Sequence, residues 1–285
     1  MKASATRLIW TALLVTSACG GGTPGQDVNQ GPGPVGAPLA IINGVVDQEG
    51  FPQVGTLVTP WTGRTGLWSR CSGTLIAEKV FLTAGHCVQR LFDMGLQHGE
   101  YGVSFDGVFT PGVSRVMPGT AYLHPQYDPY WVSNDVGVIV LDAEADGLEP
   151  KKLARQDVLA EMKADKLAKA KFVTVGYGAT VDDPSPEFRG TRRVATQHFL
   201  GLCGVECEGN ADNYWVMLGG PFETGNGTIS FGDSGGPHFL NGKIVAVSSL
   251  GDMGWSGMAL EWAQRVDVKP VRDFILSFVV DDDEE

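Results

Sequence analysis

Three short stretches carry residues whose types and spacing can perform acyl transfer. Phe231-Gly232-Asp233-Ser234-Gly235-Gly236-Pro237-His238 puts a serine hydroxyl in a glycine-rich turn that also offers backbone N–H donors. Gly, Asp and Ser are ordinary turn residues, so this stretch alone would be consistent with any surface loop. A serine becomes a useful nucleophile only when a base takes its proton and a third group orients that base. Upstream, Leu82-Thr83-Ala84-Gly85-His86-Cys87 supplies a histidine, and Ser133-Asn134-Asp135, ahead of an apolar run to Leu141, supplies a carboxylate. A structural histidine and a strand-edge aspartate are the plain alternatives for His86 and Asp135.

The order His86, Asp135, Ser234 in these settings resembles the trypsin/chymotrypsin-like serine proteases. Further landmarks fall in sequence: Ile41-Ile42-Asn43-Gly44 as a mature start, Cys71-Ser72-Gly73-Thr74-Leu75-Ile76 as the strand before the histidine, then His124-Pro125-Gln126-Tyr127 and Val173-Thr174-Val175-Gly176-Tyr177-Gly178. The resemblance covers most of residues 41–280. It implies an all-β fold of two six-stranded antiparallel β-barrels packed face to face, about 41–150 and 171–266, with a closing helix at about 267–280.

Site roles follow from the same resemblance. His86 is the expected general base, Asp135 its orienting carboxylate, Ser234 the nucleophile, and the N–H groups of Gly232 and Ser234 the oxyanion hole. Thr228 matches the pocket base, and Ser249, Leu250 and Gly251 the opposite wall. A buried cation without a carboxylate partner is costly, so this set implies an uncharged, small-to-medium apolar P1 residue. Cleavage between Ala40 and Ile41 would free an α-ammonium that pairs with Asp233, which makes the chain a zymogen. A Cys71–Cys87 bridge is implied, tying the histidine loop to the strand before it. Cys203 and Cys207 are expected to close a small local loop; a metal pair is the alternative, without the further His or Cys a zinc set needs. No metal and no cofactor are expected. Ser230 stands where the family's bridge beside the nucleophile would begin.

The elements that must hold these groups read as mostly β. The chain has 285 residues, with 39 Gly, 16 Pro and 43% hydrophobic residues. Short apolar runs at 54–59, 74–76, 136–141, 172–175 and 244–248 are separated by turn signals. Residues 153–171 are rich in Ala, Lys, Leu and Glu and read as a surface helix and connector. Asp267 is a candidate cap for the closing helix, whose Phe274, Ile275, Phe278 and Val279 give an apolar face. The 281–285 stretch is an acidic tail. A net charge of −12 argues against a nucleic-acid partner, which needs clustered Lys and Arg.

The N-terminus carries Lys2 and Arg7, an apolar run over 8–15, then Thr16-Ser17-Ala18-Cys19. That pattern reads as a secretory signal over 1–18. Cys19 has two readings: a lipidated first residue, since Ser17-Ala18-Cys19 resembles a bacterial lipobox, or an incidental cysteine in a plainly secreted precursor. The Gly/Pro-rich 19–40 segment is then a tether or propeptide. The expectation is an exported enzyme, secreted or lipid-anchored at a bacterial cell envelope, monomeric, acting on protein or peptide substrates. Asn226-Gly227-Thr228 forms a glycosylation sequon, taken as coincidence. The alternative function is a binding or adhesion protein on a protease-like scaffold.

Overall fold

The computed structural model describes residues 41, 43–47, 49–179, 185–203, 214–251 and 258–279. The expected signal (1–18), the 19–40 tether with Cys19, Cys207, Asp252, the 281–285 tail and the side chain of Cys203 lie outside the described residues.

Runs of Val, Ile, Thr and Leu suit pleated, buried surfaces, and they set the strands. β1 (Val45–Val46) precedes β2 (Val54–Pro60), β3 (Leu67–Ala77), β4 (Val80–Thr83), helix α1 (Gly85–Asp93), β5 (Gly102–Ser104), β6 (Gly119–Leu123) and β7 (Gly137–Leu141). One-turn helices α2 (Val158–Glu161) and α3 (Ala164–Leu167) lead to β8 (Lys171–Gly176), β9 (Arg193–Cys203), β10 (Trp215–Pro221), β11 (Pro237–Leu240), β12 (Lys243–Gly251), β13 (Met258–Arg265) and α4 (Lys269–Leu276).

The strands form two antiparallel sheets. The first, in order β5-β2-β3-β4-β7-β6, is curled, and its ends meet at one bridge where Val103 and Met117 exchange two N–H···O bonds of 2.8 Å. The second closes fully: β8-β9-β10-β13-β12-β11 returns to β8. β1 pairs with β9, so the chain's first strand belongs to the second sheet and not to the first barrel, where the 41–150 boundary had put it.

Leu57, Phe81, Val88, Leu91, Val103 and Ile139 fill the first sheet beneath α1. Phe172, Val216, Leu218, Val245 and Ala263 fill the second. Between the two, Val54, Leu82 and Val138 of the first sheet share a cluster with Val175, Phe239 and Val247 of the second and with Val271 and Ile275 of α4. The loops that carry the candidate chemistry rise from this shared wall.

Two local expectations give way to tertiary contacts. The 153–171 stretch is not one helix: Ala154 N–H bonds Ile244 O at 2.8 Å and Ile244 N–H bonds Lys152 O at 3.1 Å, so its start is drawn onto β12 as an extended segment. Extended backbone at Met162 and Lys163 then separates α2 from α3, and Lys171 opens β8. Asp267 does not cap the last helix; Val268 is the cap residue of α4. The Asp267 carboxylate pairs with Arg265 at 2.8 Å and accepts the Leu159 N–H at 3.0 Å.

A buried cation bonds to groups from both sheets. Arg192 donates to Asp47 Oδ2 at 2.8 Å, Val54 O at 3.3 Å, Phe105 O at 3.2 Å and the Tyr177 hydroxyl at 3.2 Å, with 2% of its surface exposed. Asp47 also accepts the N–H groups of Gly50 and Phe51. Removing one partner of such a pair strands the other charge in a low-dielectric interior. Asp47→Ala should therefore destabilise the protein by about 3–5 kcal/mol, read from the urea midpoint at unchanged m-value. A loss below about 1 kcal/mol would show that the carbonyls alone satisfy Arg192.

Candidate active site

His86 sits in the first turn of α1, which has no acidic residue there and no side-chain cap of its own. The cap comes from far along the chain. Asp135 Oδ1 accepts the His86 backbone N–H at 2.7 Å, satisfying one of the orphan donors at the helix start. The other oxygen, Oδ2, lies 2.8 Å from His86 Nδ1. Glycine at 85 eases this close approach, since a Cβ there would stand 3.0 Å from Val136 N and 3.2 Å from Asp135 Oδ1 and those neighbours would have to give by a few tenths of an ångström.

Asp135 is fully buried, and its carboxylate is bonded by His86 and Ser249. Ser249 Oγ of β12 donates to Oδ2, and the Asp135 N–H donates to Gln264 Oε1 of β13 at 3.0 Å. Burial alone would push the carboxyl up, but the His86 charge, the His86 hydrogen bonds and Ser249 outweigh it and hold the group below the ordinary carboxylate range. For His86, burial lowers and Asp135 raises; the net shift is upward. An ionised carboxylate only accepts, so Nδ1 carries the ring proton and Nε2 is left as the basic nitrogen.

Ser234 is held from across the sheet boundary. Ser72, on β3, donates its N–H to Ser234 O at 2.8 Å and its hydroxyl to Gly232 O at 2.9 Å. Gly235 N–H bonds Ser248 O at 2.8 Å, and Ser248 N–H returns to Gly236 O at 2.8 Å. With both carbonyls engaged, the N–H groups of Gly232 and Ser234 have no protein acceptor among the described residues. Gly235 has φ +82, and a Cβ there would meet Thr83 Oγ1, Ser72 O and Ala84 N, so only glycine can follow the serine.

His86 and Ser234 line one cavity of about 290 Å³ together with Ile229, Ser230, Phe231, Ser249, Leu250 and Gly251. Thr228, expected at its base, lies fully buried behind this wall with Oγ1 3.4 Å from Leu260 O. Ile229 comes between: its Cγ1 is 2.7 Å from where a Cβ on Gly251 would stand, so its side chain crosses to the far wall. Ser72, Gln264 and Ile229 are site residues that the motifs did not single out. Each acts through a contact distant in sequence, which no local pattern displays.

Asp233 is buried without a cation. It accepts N–H bonds from Gly178 at 2.7 Å and Ser230 at 2.9 Å and is in no ion pair among the described residues. Burial first, with Glu261 adding, pushes its carboxyl up from 3.8 to about 7 against the pull of those N–H groups and of Arg189. Ile41 is fully buried with φ +39, a strained region for a β-branched residue. Cys71 and Cys87 are joined in a disulfide, so the sulphurs beside His86 are not thiolate metal ligands.

The remaining histidines have structural surroundings. His98 pairs with Asp142 at the surface, His124 is buried against Pro270 O, His198 bonds Asn226, and His238 bonds Glu261 and Ser248 in the interior. Asn226 is 2% exposed and bonded through both side-chain ends, which leaves the sequon no site for a glycan.

Comparison with known proteins bears on the fold and the family. The Trypsin family model matches residues 48–275. A trypsin of Saccharopolyspora erythraea is 29% identical over 184 residues, 64% of this chain and 75% of that protein. Serine protease 1 of Homo sapiens is 27% identical over 64% of this chain and 69% of its own. Among solved structures, human heparin binding protein superposes with a TM-score of 0.60 at 20% identity, covering 84% of this chain and 96% of that one. A scabies mite inactivated protease paralogue gives 0.61 at 18% identity, covering 84% and 99%. With the family model spanning most of its length, the chain belongs to the trypsin family of serine proteases.

Proposed function

We propose that the protein is an exported serine endopeptidase that cleaves peptide bonds through an acyl-enzyme. The observation that carries this reading is the buried Asp135 carboxylate fixing the tautomer of His86, in a cavity that His86 shares with Ser234. His86 Nε2 takes the Ser234 proton as Oγ attacks the carbonyl, Asp135 stabilises the imidazolium, and the N–H groups of Gly232 and Ser234 receive the oxyanion. His86 then protonates the leaving amine, and water repeats the sequence to release the acyl group. A binding protein on the same scaffold has no need of a buried charge that orients an imidazole, and retention of all three residues favours the enzyme.

The described wall of the cavity carries no carboxylate, and Ile229 narrows it, which supports neutral P1 residues of small to medium size. Activation follows from Asp233. A cut between Ala40 and Ile41 would give this buried carboxylate the ammonium it lacks and relieve the φ of Ile41. If Cys19 is the lipidated residue, the same cut also releases the enzyme from the membrane. Among the described residues, no helix is long and apolar enough to cross one.

Ser234→Ala should lower kcat by roughly 10⁶-fold and abolish fluorophosphonate labelling while leaving thermal unfolding within a few degrees of wild type. Activity near that of the wild type would sink the nucleophile assignment.

Peptide anilides ending in Ala, Val, Leu or Met should be cut at least about tenfold faster than matched Arg or Lys substrates, because a cation entering that wall meets no counter-charge. A profile led by Arg or Lys would place an acid from outside the described wall, such as Asp252, in the pocket.

The Asp233 shift makes stability of the uncleaved chain depend on pH. A carboxyl whose folded pKa is raised contributes stability that is complete below its unfolded value and lost as pH rises through the folded one. From 3.8 to about 7 the loss is roughly 4 kcal/mol. Asp233→Asn should flatten the stability curve of the uncleaved chain across that window by this amount, and the active form, with Ile41 found first by Edman analysis, should show no such difference. An active enzyme that still begins at Cys19 or in the tether would overturn the activation scheme.

A further inference from the structure

A second cavity of about 640 Å³ opens from the same catalytic pair. It shares His86, Phe231 and Ser234 with the pocket walled by Ile229 and Leu250, then runs the other way past the Cys71–Cys87 bridge to Trp61, Arg70, Arg90 and Arg189. If the Ile229 pocket takes the residue whose carbonyl is attacked, a chain crossing Ser234 continues into this second space with the residues that leave. The inference therefore rests on the peptidase reading and adds to it a preference on the leaving-group side.

The charge here runs against that of the molecule. The chain carries −12 overall, yet three arginines line this space and Asp93 is the one acidic residue among those lining it. Two of the guanidiniums are fixed in place. Arg70 Nε donates to Thr59 Oγ1 at 3.0 Å and Nη2 to Pro60 O at 3.3 Å, while its Cζ lies 4.0 Å from the centre of the Trp61 ring. Arg189 packs against the same ring at 5.1 Å and near Phe231 at 6.0 Å, and donates to Arg70 O at 3.3 Å. Trp61 thus contacts two cations, an arrangement that holds them where they stand.

Arg70 and Arg90 also repel one another. Burial, and then the Arg90 charge, pulls the Arg70 guanidinium down to about 10, still fully cationic near neutral pH. Neither is in a salt bridge among the described residues. The Asp93 carboxylate is engaged by Gln89 at 2.8 Å. A carboxylate arriving on a substrate would relieve this repulsion without having to displace an existing partner of Arg90, and a lysine or arginine would add to it.

We infer that the Trp61, Arg70, Arg90 cavity is the leaving-group subsite and that it selects aspartate or glutamate within the first two residues after the scissile bond. Peptides with one acyl half and Asp/Glu, Ala or Lys/Arg in those two positions test it on the activated enzyme. The acidic peptides should exceed the basic ones in kcat/KM by about tenfold, and the ratio should shrink toward one in 1 M salt. Arg90→Gln, at an exposed helical position, should cut that ratio severalfold, and Arg70→Gln should do the same where it folds; because the ratio is internal to each variant, a general loss of activity cancels. A ratio of one or below in the wild type, or one untouched by Arg90→Gln, overturns the inference. If no peptide is cut, the peptidase reading fails separately. The subsite is then judged by equilibrium binding of Asp-Asp-amide against Lys-Lys-amide to the Ser234→Ala protein, followed by Trp fluorescence, with equal or weaker binding of the acidic amide counting against it.

Discussion

A carboxylate with no exposed surface must find all of its compensation inside the protein, and Asp135 draws its own from two separate elements while its backbone bonds to a third. The His86 ring and backbone come from α1 and the Ser249 hydroxyl from β12, while the Gln264 side-chain oxygen of β13 accepts the Asp135 backbone N–H. The first element belongs to the curled sheet and the other two to the closed barrel. The charge that orients the imidazole is therefore also a polar joint between the two halves. Loosening that joint would cost alignment and packing together, since an unpartnered buried charge is far more expensive than a lost surface pair.

Asp233 shows what the same burial does without such partners. Both carboxylates are withdrawn from water and both accept two hydrogen bonds or more, yet one is pulled below its ordinary range and the other pushed up to about 7. The difference is the neighbouring charge: an imidazole that becomes cationic beside Asp135, against Glu261 and a more distant guanidinium around Asp233. Because Asp233 immediately precedes Ser234, this uncompensated group lies in the turn whose N–H groups would hold the oxyanion. Under the proposed activation, a positive charge delivered to it would act on that turn through the backbone of a single peptide unit.

What was legible in the sequence was what is encoded locally. His86, Asp135 and Ser234 announce themselves through short contexts, and the strands through runs of β-branched residues. The residues that complete the site do not. Gln264 meets Asp135 across 129 positions, and Ser72 meets Gly232 across 160. Their types, an amide and a hydroxyl in strands, carry no signal until the sheets are assembled. Within the helix and connector expected over 153–171, helix is confined to two single turns for a related reason: the composition favours helix, but β12 offers Ala154 and Lys152 a ladder to join, and tertiary pairing outweighs propensity. The Asp267 cap failed likewise, because Arg265 competes for the carboxylate with charge.

Net charge was the least informative global quantity about the site. A total of −12 spread over a folded surface acts weakly beyond a Debye length of about 8 Å, whereas a cleft with low-dielectric walls responds to the few groups that line it. Trp61 makes that local field durable: its aromatic ring holds Arg70 and Arg189 on one side of His86 and Ser234, while the described wall on the other side, with Ile229 and Leu250, carries no charged group besides His86. On the proposed reading, a peptide lying across Ser234 would meet an uncharged described wall on one side of the bond and a cationic one on the other. Selectivity in such a cleft would come from the contrast between its two ends, each set by the few side chains that line it and neither deducible from the charge of the whole chain.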